Sequence, residues 1–371
     1  MHLNHLTINQ FKNCNEATLD FSGNINCFVG RNGAGKTNIL DAIYYLSFCK
    51  SYFNQTDSLN INHQCDFFAI NGTFQRDDGR TDQVQCIQKR NAPKKFSLNK
   101  KEYDRLADHI GLFPLVMISP YDRDLINDGS ELRRKYLDGV IAQFDHGYLD
   151  DLLVYNKALA QRNALLKQSA ETGFYDRPML QLYDNMMEQP AQRIYEKRVS
   201  FLEAFKPVFQ HYYSWISEGR EQVEIAYESS MHGTVFTEMM EGAFNRDKAL
   251  RYTSAGIHKD DLDLKIDGYP VKKFGSQGQQ KSYVVAMKLA QFDYTRHIKG
   301  TKPIMLFDDI FDKLDSTRVQ KIIELVGNDS FGQVFISDTQ PERIEAIFSQ
   351  VTLDHRIFDV ASGVVKPRMN Q

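Results

Sequence analysis

Residues 30–37 read Gly-Arg-Asn-Gly-Ala-Gly-Lys-Thr, a GxxxxGK[ST] run between an apolar stretch and an amphipathic one. Glycines at this spacing let backbone N–H groups wrap a phosphate, and the helix that follows adds the favourable end of its dipole. Lys36 is placed to reach β- and γ-phosphates, and the Thr37 hydroxyl to bind Mg²⁺. Such a loop needs a buried strand before it and a helix after it. Ile25-Asn26-Cys27-Phe28-Val29 supplies the first, and Ile39, Leu40, Ile43 and Leu46 supply helical apolar spacing for the second. The nucleotide-contacting candidates are therefore Gly30, Arg31, Asn32, Gly33, Ala34, Gly35, Lys36, Thr37 and Asn38.

A second feature lies near the other end of the chain. Ile304-Met305-Leu306-Phe307-Asp308-Asp309 is an apolar strand ending in two carboxylates. The end of such a strand is where a nucleotide-binding sheet presents its acids. Asp308 is the expected Mg²⁺ ligand and Asp309 the group that orients the attacking water, so the catalytic candidates are Asp309, Lys36 and Ser276. Ser276 belongs to Gly275-Ser276-Gln277-Gly278-Gln279-Gln280-Lys281, which opens a helix predicted over 283–297 and resembles the LSGGQ signature of ABC ATPases. Its hydroxyl and the first N–H groups of the helix, with Gly278 and Gln279, make a second anion site. In that superfamily this site meets the γ-phosphate held by a partner subunit. Asp312-Lys313-Leu314-Asp315 resembles the D-loop, with Asp315 as a further nucleotide contact. Asp338 stands where ABC proteins often place a switch histidine, and His258 reads as structural or interfacial.

Strand-like patterns in 1–118 and again beyond 252 flank a helical stretch of 131–216, broken at Tyr175-Asp176-Arg177-Pro178. This predicts an α/β fold: a P-loop ABC/SMC-type ATPase head built from 1–130 and 251–371, with a helical insertion at 131–250. With 371 residues, 42% of them hydrophobic and 25% charged, the chain can bury two cores. It contains no run of about 18 apolar residues, and its first residues lack the pattern of a secretory signal. The expectation is a cytoplasmic protein with no membrane partner. Five cysteines without a CxxC pair suggest neither a disulfide framework nor a zinc site. The net charge of −3 gives no global bias towards nucleic acid. Local basic clusters at Lys89, Arg90, Lys94 and Lys95, and at Arg133 and Arg134, are the candidates for DNA phosphate contact.

More specific segments occur in a fixed order. They are Thr37 to Ser47, then Lys50-Ser51, then Gly129-Ser130-Glu131-Leu132-Arg133-Arg134-Lys135-Tyr136-Leu137-Asp138, then Gly256-Ile257-His258-Lys259-Asp260-Asp261-Leu262, then Phe274 to Ser282. Together they resemble the bacterial RecF family across nearly the whole chain. Glu131 and Ile257 stand where that family often has proline. The resemblance implies ATP-driven homodimerisation with weak, DNA-stimulated hydrolysis. It also implies help in loading RecA at single-strand gaps and single-/double-strand junctions, together with RecR and RecO. The alternatives are an SMC-like structural ATPase, against which the lack of long heptads argues, and an ABC transport ATPase.

Overall fold

The computed structural model describes residues 1–54, 56–310, 320–321, 324–326, 331–348 and 353–368. The chain divides into two compact units: Met1–Asp122 with Gln291–Gln371, and Arg123–Ala290.

In the first unit, β1 (His2–Phe11) and β2 (Cys14–Asp20) form the expected antiparallel pair. The fully buried β3 (Ile25–Val29) leads through the glycine loop into α1 (Lys36–Phe48). The strands β4 (Phe67–Gln75), β5 (Thr81–Lys89), β6 (Lys95–Leu98) and β7 (Lys101–Glu102) extend the first sheet, in the order β2-β1-β4-β5-β6-β7. Alternation along β1 and β4 places Leu3, Leu6, Ile8, Phe68, Ile70 and Phe74 in one cluster with Leu40, Ile43 and Leu46 of α1. The segment closes on β8 (Leu115–Ile118).

The second unit begins with α2 (Asp124–Asn127) and α3 (Ser130–Ile141). Two long helices follow, α4 (His146–Thr172) and the 41-residue α5 (Arg177–Ser217). Both start on a side-chain cap: Asp145 accepts from the Tyr148 N–H and Asp176 from the Met179 N–H. Gly173 ends α4 in the left-handed conformation. The buried positions of α4, among them Tyr148, Leu152, Tyr155, Ala158, Arg162 and Leu166, recur every three or four residues. This stripe packs on a similar one in α5 to form an antiparallel hairpin. Beyond lie β9 (Val223–Glu228), α6 (Phe236–Leu250), β10 (Asp261–Ile266), β11 (Tyr269–Pro270), α7 (Val271–Phe274) and α8 (Gln277–Lys299). The three strands form a sheet in the order β11-β10-β9.

Here the structure departs from the expected division at 131 and 250. Residues 251–290 belong to the second unit, because β10 pairs along its whole length with β9 and the buried Arg198 of α5 binds Asp260. Local pattern registers strands and helices but not the pairing that assigns them to a unit.

The chain then returns to the first unit with β12 (Ile304–Phe307), β13 (Val334–Asp338), α9 (Pro341–Phe348), β14 (His355–Ala361) and β15 (Val364–Pro367). The second sheet of this unit runs β15-β14-β3-β13-β12-β8 and is parallel except for the terminal β14–β15 pair. Its central strands β3, β12 and β13 are buried at every residue, which is why they read as unbroken apolar runs. Parallel strands end at the same edge. The glycine loop after β3, the two acids after β12 and Ser337 near the end of β13 are thereby gathered, although the sequence scatters them. Among the described residues no helix is long and apolar enough to cross a membrane.

Candidate nucleotide site

The loop between β3 and α1 is shaped by contacts on its inner side. Gly35, the N-cap of α1, has φ 113°, and a Cβ there would lie 2.8 Å from Asn13 Oδ1. A Cβ on Gly30 would lie 2.2 Å from the Val360 carbonyl oxygen, so β14 packs directly on the loop backbone. The loop is tied down by Gly30 N–H donating to the Asp338 carbonyl (3.2 Å), and by Gly363 N–H donating to that of Ala34 (2.8 Å). Asn13 adds to this brace: its Nδ2 donates to Ala34 O (3.4 Å) and its Oδ1 accepts from Asn38 Nδ2 (2.7 Å). Lys36 is buried, and its Nζ donates to the Gly30 and Arg31 carbonyls at 2.9 and 3.2 Å. The crest of the loop, Arg31, Asn32 and Gly33, is exposed; Ala34 is buried beneath it.

At the end of β12 the Asp308 carboxylate is buried and accepts two hydrogen bonds on Oδ1, from Thr37 Oγ1 and from Ser337 Oγ, each 2.8 Å long. Burial pushes its carboxyl up to about 6, against these hydrogen bonds, which pull the other way. Ser337 Oγ also accepts from the Asp309 N–H at 2.9 Å. Asp309 has φ 43°, a left-handed conformation that is uncommon for a side-chain-bearing residue and recurs at functional turns. Among the described residues no three His, Cys, Asp or Glu side chains gather as a metal cluster. Magnesium keeps several waters and binds through one or two protein oxygens plus substrate phosphates, so the Thr37 hydroxyl and the Asp308 carboxylate fit it as a donor set.

A buried aspartate further along α1 fixes the helix against the following loop. Asp41 accepts from Lys12 Nζ (2.6 Å), Ser51 Oγ (2.6 Å) and the Tyr52 N–H (2.7 Å). Asp338 is held by Arg343 at 2.7 and 3.0 Å and by the Gln340 N–H, so its carboxylate serves the turn after β13.

The signature residues form a reciprocal cap at the start of α8. The Ser276 N–H donates to Gln279 Oε1 at 2.7 Å and the Gln279 N–H to Ser276 Oγ at 3.2 Å. Ser276 is exposed, and Gly278 is the second residue of the helix. Asp315 and the rest of 312–315 lie outside the described residues.

Two of the basic candidates are corrected. Lys94 is not a surface cation: its Nζ is bound to Asp57 (2.7 Å), the Tyr45 hydroxyl (3.1 Å) and the Cys49 carbonyl, and only 10% of its side chain is exposed. Arg133 is buried and forms a two-pronged pair with Asp261 at 2.6 and 2.9 Å, with further bonds to the Leu125 and Asp128 carbonyls. Arg134 is half-buried and donates to the Asp260 carbonyl at 2.7 Å. Lys89, Arg90 and Lys95 remain exposed, with Arg90 bonded to the Cys65 and Asn62 carbonyls and Lys95 3.9 Å from Glu102.

The model of the RecF/RecN/SMC N terminal domain matches residues 2–358. The DNA replication and repair protein RecF of Flavobacterium johnsoniae is 50% identical over 360 residues, which is 97% of this chain and 100% of that protein. The chain belongs to the RecF family. The RecF protein of Bacteroides thetaiotaomicron is 46% identical over 365 residues, 98% of each chain. A solved structure of the recombination mediator protein RecF-ATP in the RecFOR pathway superposes with a TM-score of 0.89 at 28% identity, covering 99% of this chain and 98% of that one. The Smc head domain of Pyrococcus furiosus shares the fold, with a TM-score of 0.59 at 18% identity over 99% of this chain and 96% of that one. The expected ABC/SMC-type head is therefore the fold of this RecF-family chain, and the transport reading is set aside.

Sequence reasoning missed Asn13 and Ser337, the side chains that brace the loop and the acids. Asn13 sits in no recognisable motif, and Ser337 directly precedes Asp338, the residue read at the switch position. Their only signal is position, in the turn after β1 and near the end of β13. The RRKYLD and GIHKDDL segments, carried only by resemblance, turn out to be two halves of one network. Arg133 binds Asp261, and Arg198 binds both Asp138 (2.8 Å) and Asp260 (3.0 Å).

Proposed function

We propose that this chain works as an ATP-dependent recombination mediator, with ATP seated on residues 30–38 and hydrolysed slowly, the hydrolysis being stimulated by DNA. The observation that carries the reading is the 2.8 Å hydrogen bond from Thr37 to the buried Asp308, which joins the phosphate loop to the acidic strand end. Backbone N–H groups of the loop cradle the phosphates, and Lys36 exchanges its carbonyl partners for phosphate oxygens. Magnesium, held by Thr37 and Asp308, would neutralise charge on the phosphates. Asp309 orients and polarises the attacking water.

Two copies join head to tail on binding ATP. Ser276, Gly278 and Gln279 of one copy meet the γ-phosphate on its partner, with Asp315 at the same interface. A twofold dimer repeats this contact, so nucleotide binding and dimerisation are linked. Gapped or junction DNA is held by phosphate contacts that include Lys89, Arg90 and Lys95. Proteins of the RecR, RecO and RecA types are the partners this reading implies.

The test combines titration calorimetry with light scattering. Lys36→Ala is expected to lose most ATP affinity without a change in melting temperature; undiminished affinity in the folded variant overturns the nucleotide site. Ser276→Arg is expected to bind ATP as a monomer; a parent that stays monomeric under a saturating, slowly hydrolysed ATP analogue overturns the shared site.

A further inference from the structure

The cap at the start of α8 is held from outside the signature. Gln279 Nε2 donates to Glu221 Oε1 at 2.8 Å, and the other oxygen of Glu221 accepts from the Tyr213 hydroxyl. Tyr213 lies near the C-terminal end of α5, fully buried against Tyr283, whose ring also packs on Phe209 at 4.8 Å. The short loop that carries Glu221 is pinned on both sides. The Gly219 N–H donates to Ser214 O and the Gln222 N–H to Asp267 Oδ1, each at 2.8 Å. A half-buried carboxylate is thus set at a fixed place beside the signature turn, with both oxygens engaged.

The chemistry of this contact is directional. A carboxylate only accepts hydrogen bonds, so the Gln279 amide must turn its NH₂ towards Glu221, which leaves Oε1 as the group that caps the Ser276 N–H. The reversed amide would set a donor against a donor at Ser276 and opposing lone pairs at Glu221. The same cap has the Gln279 N–H donating to Ser276 Oγ. With that lone pair occupied, the Ser276 hydroxyl keeps its own proton free to donate to a phosphate oxygen.

We infer that Glu221 is a positioning residue for the signature turn: through Gln279 it fixes the cap that aims the Ser276 hydroxyl at the partner-held phosphate. This rests on the reading of Ser276 as a trans-phosphate contact. Glu221 meets no nucleotide itself. Its effect is confined to nucleotide-driven dimerisation and to turnover, and leaves ATP binding by the glycine loop of the same copy unchanged.

The experiment measures mass by light scattering over a range of protein concentrations with a slowly hydrolysed ATP analogue, and steady-state hydrolysis with ATP. The proteins are the parent, Glu221→Ala, Glu221→Gln and Ser276→Arg. Glu221→Ala is expected to raise the dimer dissociation constant by roughly tenfold or more, because the twofold dimer contains the weakened contact twice. It should lower kcat while leaving the melting temperature, and the ATP affinity measured at protein concentrations where both proteins are monomeric, at the parent values. Glu221→Gln keeps an oxygen that accepts from Gln279 and is expected to restore most of the loss, a rescue that a general packing role does not produce. Normal dimerisation of Glu221→Ala alongside a monomeric Ser276→Arg overturns the inference and leaves the shared site standing. Normal dimerisation of Ser276→Arg overturns the shared site and this inference with it. Equal defects in Glu221→Gln and Glu221→Ala overturn the route through the amide. Should Glu221→Ala melt early, Glu221→Met combined with Tyr213→Phe, which removes the carboxylate without orphaning the buried hydroxyl, carries the test: the same loss is expected, and parent-like dimerisation overturns the inference.

Discussion

Thr37 and Asp308 stand 271 residues apart in the chain, yet the hydroxyl of one donates to the carboxylate of the other across 2.8 Å. Replacing Thr37 with Val keeps the shape and removes the oxygen. ATP affinity in the presence of magnesium is expected to fall by more than roughly tenfold, the scale of losing even an outer-shell partner of a metal ligand. In EDTA the variant and the parent should bind alike. Calorimetric titration under both conditions checks this, and an equal loss in EDTA would place the role of Thr37 outside metal binding.

Asp309 sits at φ 43°, a conformation that Asn adopts as readily as Asp. Asp309→Asn therefore keeps the turn and removes only the charge that polarises water. Hydrolysis should drop by about a hundredfold or more while ATP affinity holds. A variant that turns over ATP at the parent rate sinks the assignment.

Exposed and internal cations separate in a salt titration. Each phosphate contact contributes a log–log slope of about −0.9. Lys89→Ala and Lys95→Ala together should flatten the slope by up to about twice that amount. Lys94→Ala, which breaks the Asp57 pair, should lower the unfolding midpoint and leave the slope alone. Fluorescence anisotropy with gapped duplex from low to high salt reads the slopes; one that the double variant does not alter places DNA elsewhere.

Arg198 is buried and binds Asp138, the Tyr148 hydroxyl, Asp260 and the Ile257 carbonyl. Arg198→Ala leaves Asp260 buried without its cation, a change that costs about 3–5 kcal/mol in comparable sites. Urea unfolding followed by a probe in the second unit should show that loss. A change below about 1 kcal/mol, the scale of a surface pair, would mean the network is solvated.

His109 is buried, its Nε2 at 2.7 Å from the Leu46 carbonyl and its Nδ1 at 3.1 Å from the Tyr103 hydroxyl. Burial is the main cause that pushes it down to about 4. A folded value below the unfolded 6.5 means the unfolded chain binds the proton first. Stability is therefore full above pH 6.5 and falls as the pH drops towards 4, by about 3 kcal/mol for this group. His258, also lowered to about 4, adds to the same window. His109→Gln should make the decline in urea midpoint between pH 6.5 and 4 clearly shallower, and a decline unchanged from the parent would show that His109 is protonated in the fold.

The sequence by itself determined the local chemistry: the glycine loop, the apolar strand with its two acids, and the capped start of α8. Each needs only a few consecutive residues, whose backbone conformation follows from glycine content, apolar period and capping preference. It also determined the family, because the specific segments keep their order along the chain. Tertiary structure alone decided which groups meet. Parallel pairing of β3, β13 and β12 brings Ser337 to the acids, and the antiparallel β1–β2 turn lays Asn13 against the glycine loop. Pairing of β10 with β9 assigns 251–290 to the second unit. Burial turned Lys94 and Arg133, which read as surface cations, into internal ion pairs with Asp57 and Asp261. A basic residue looks the same in sequence whether water or a carboxylate solvates it. The partner lies far along the chain, and only the fold, by removing water from the pair, makes the choice.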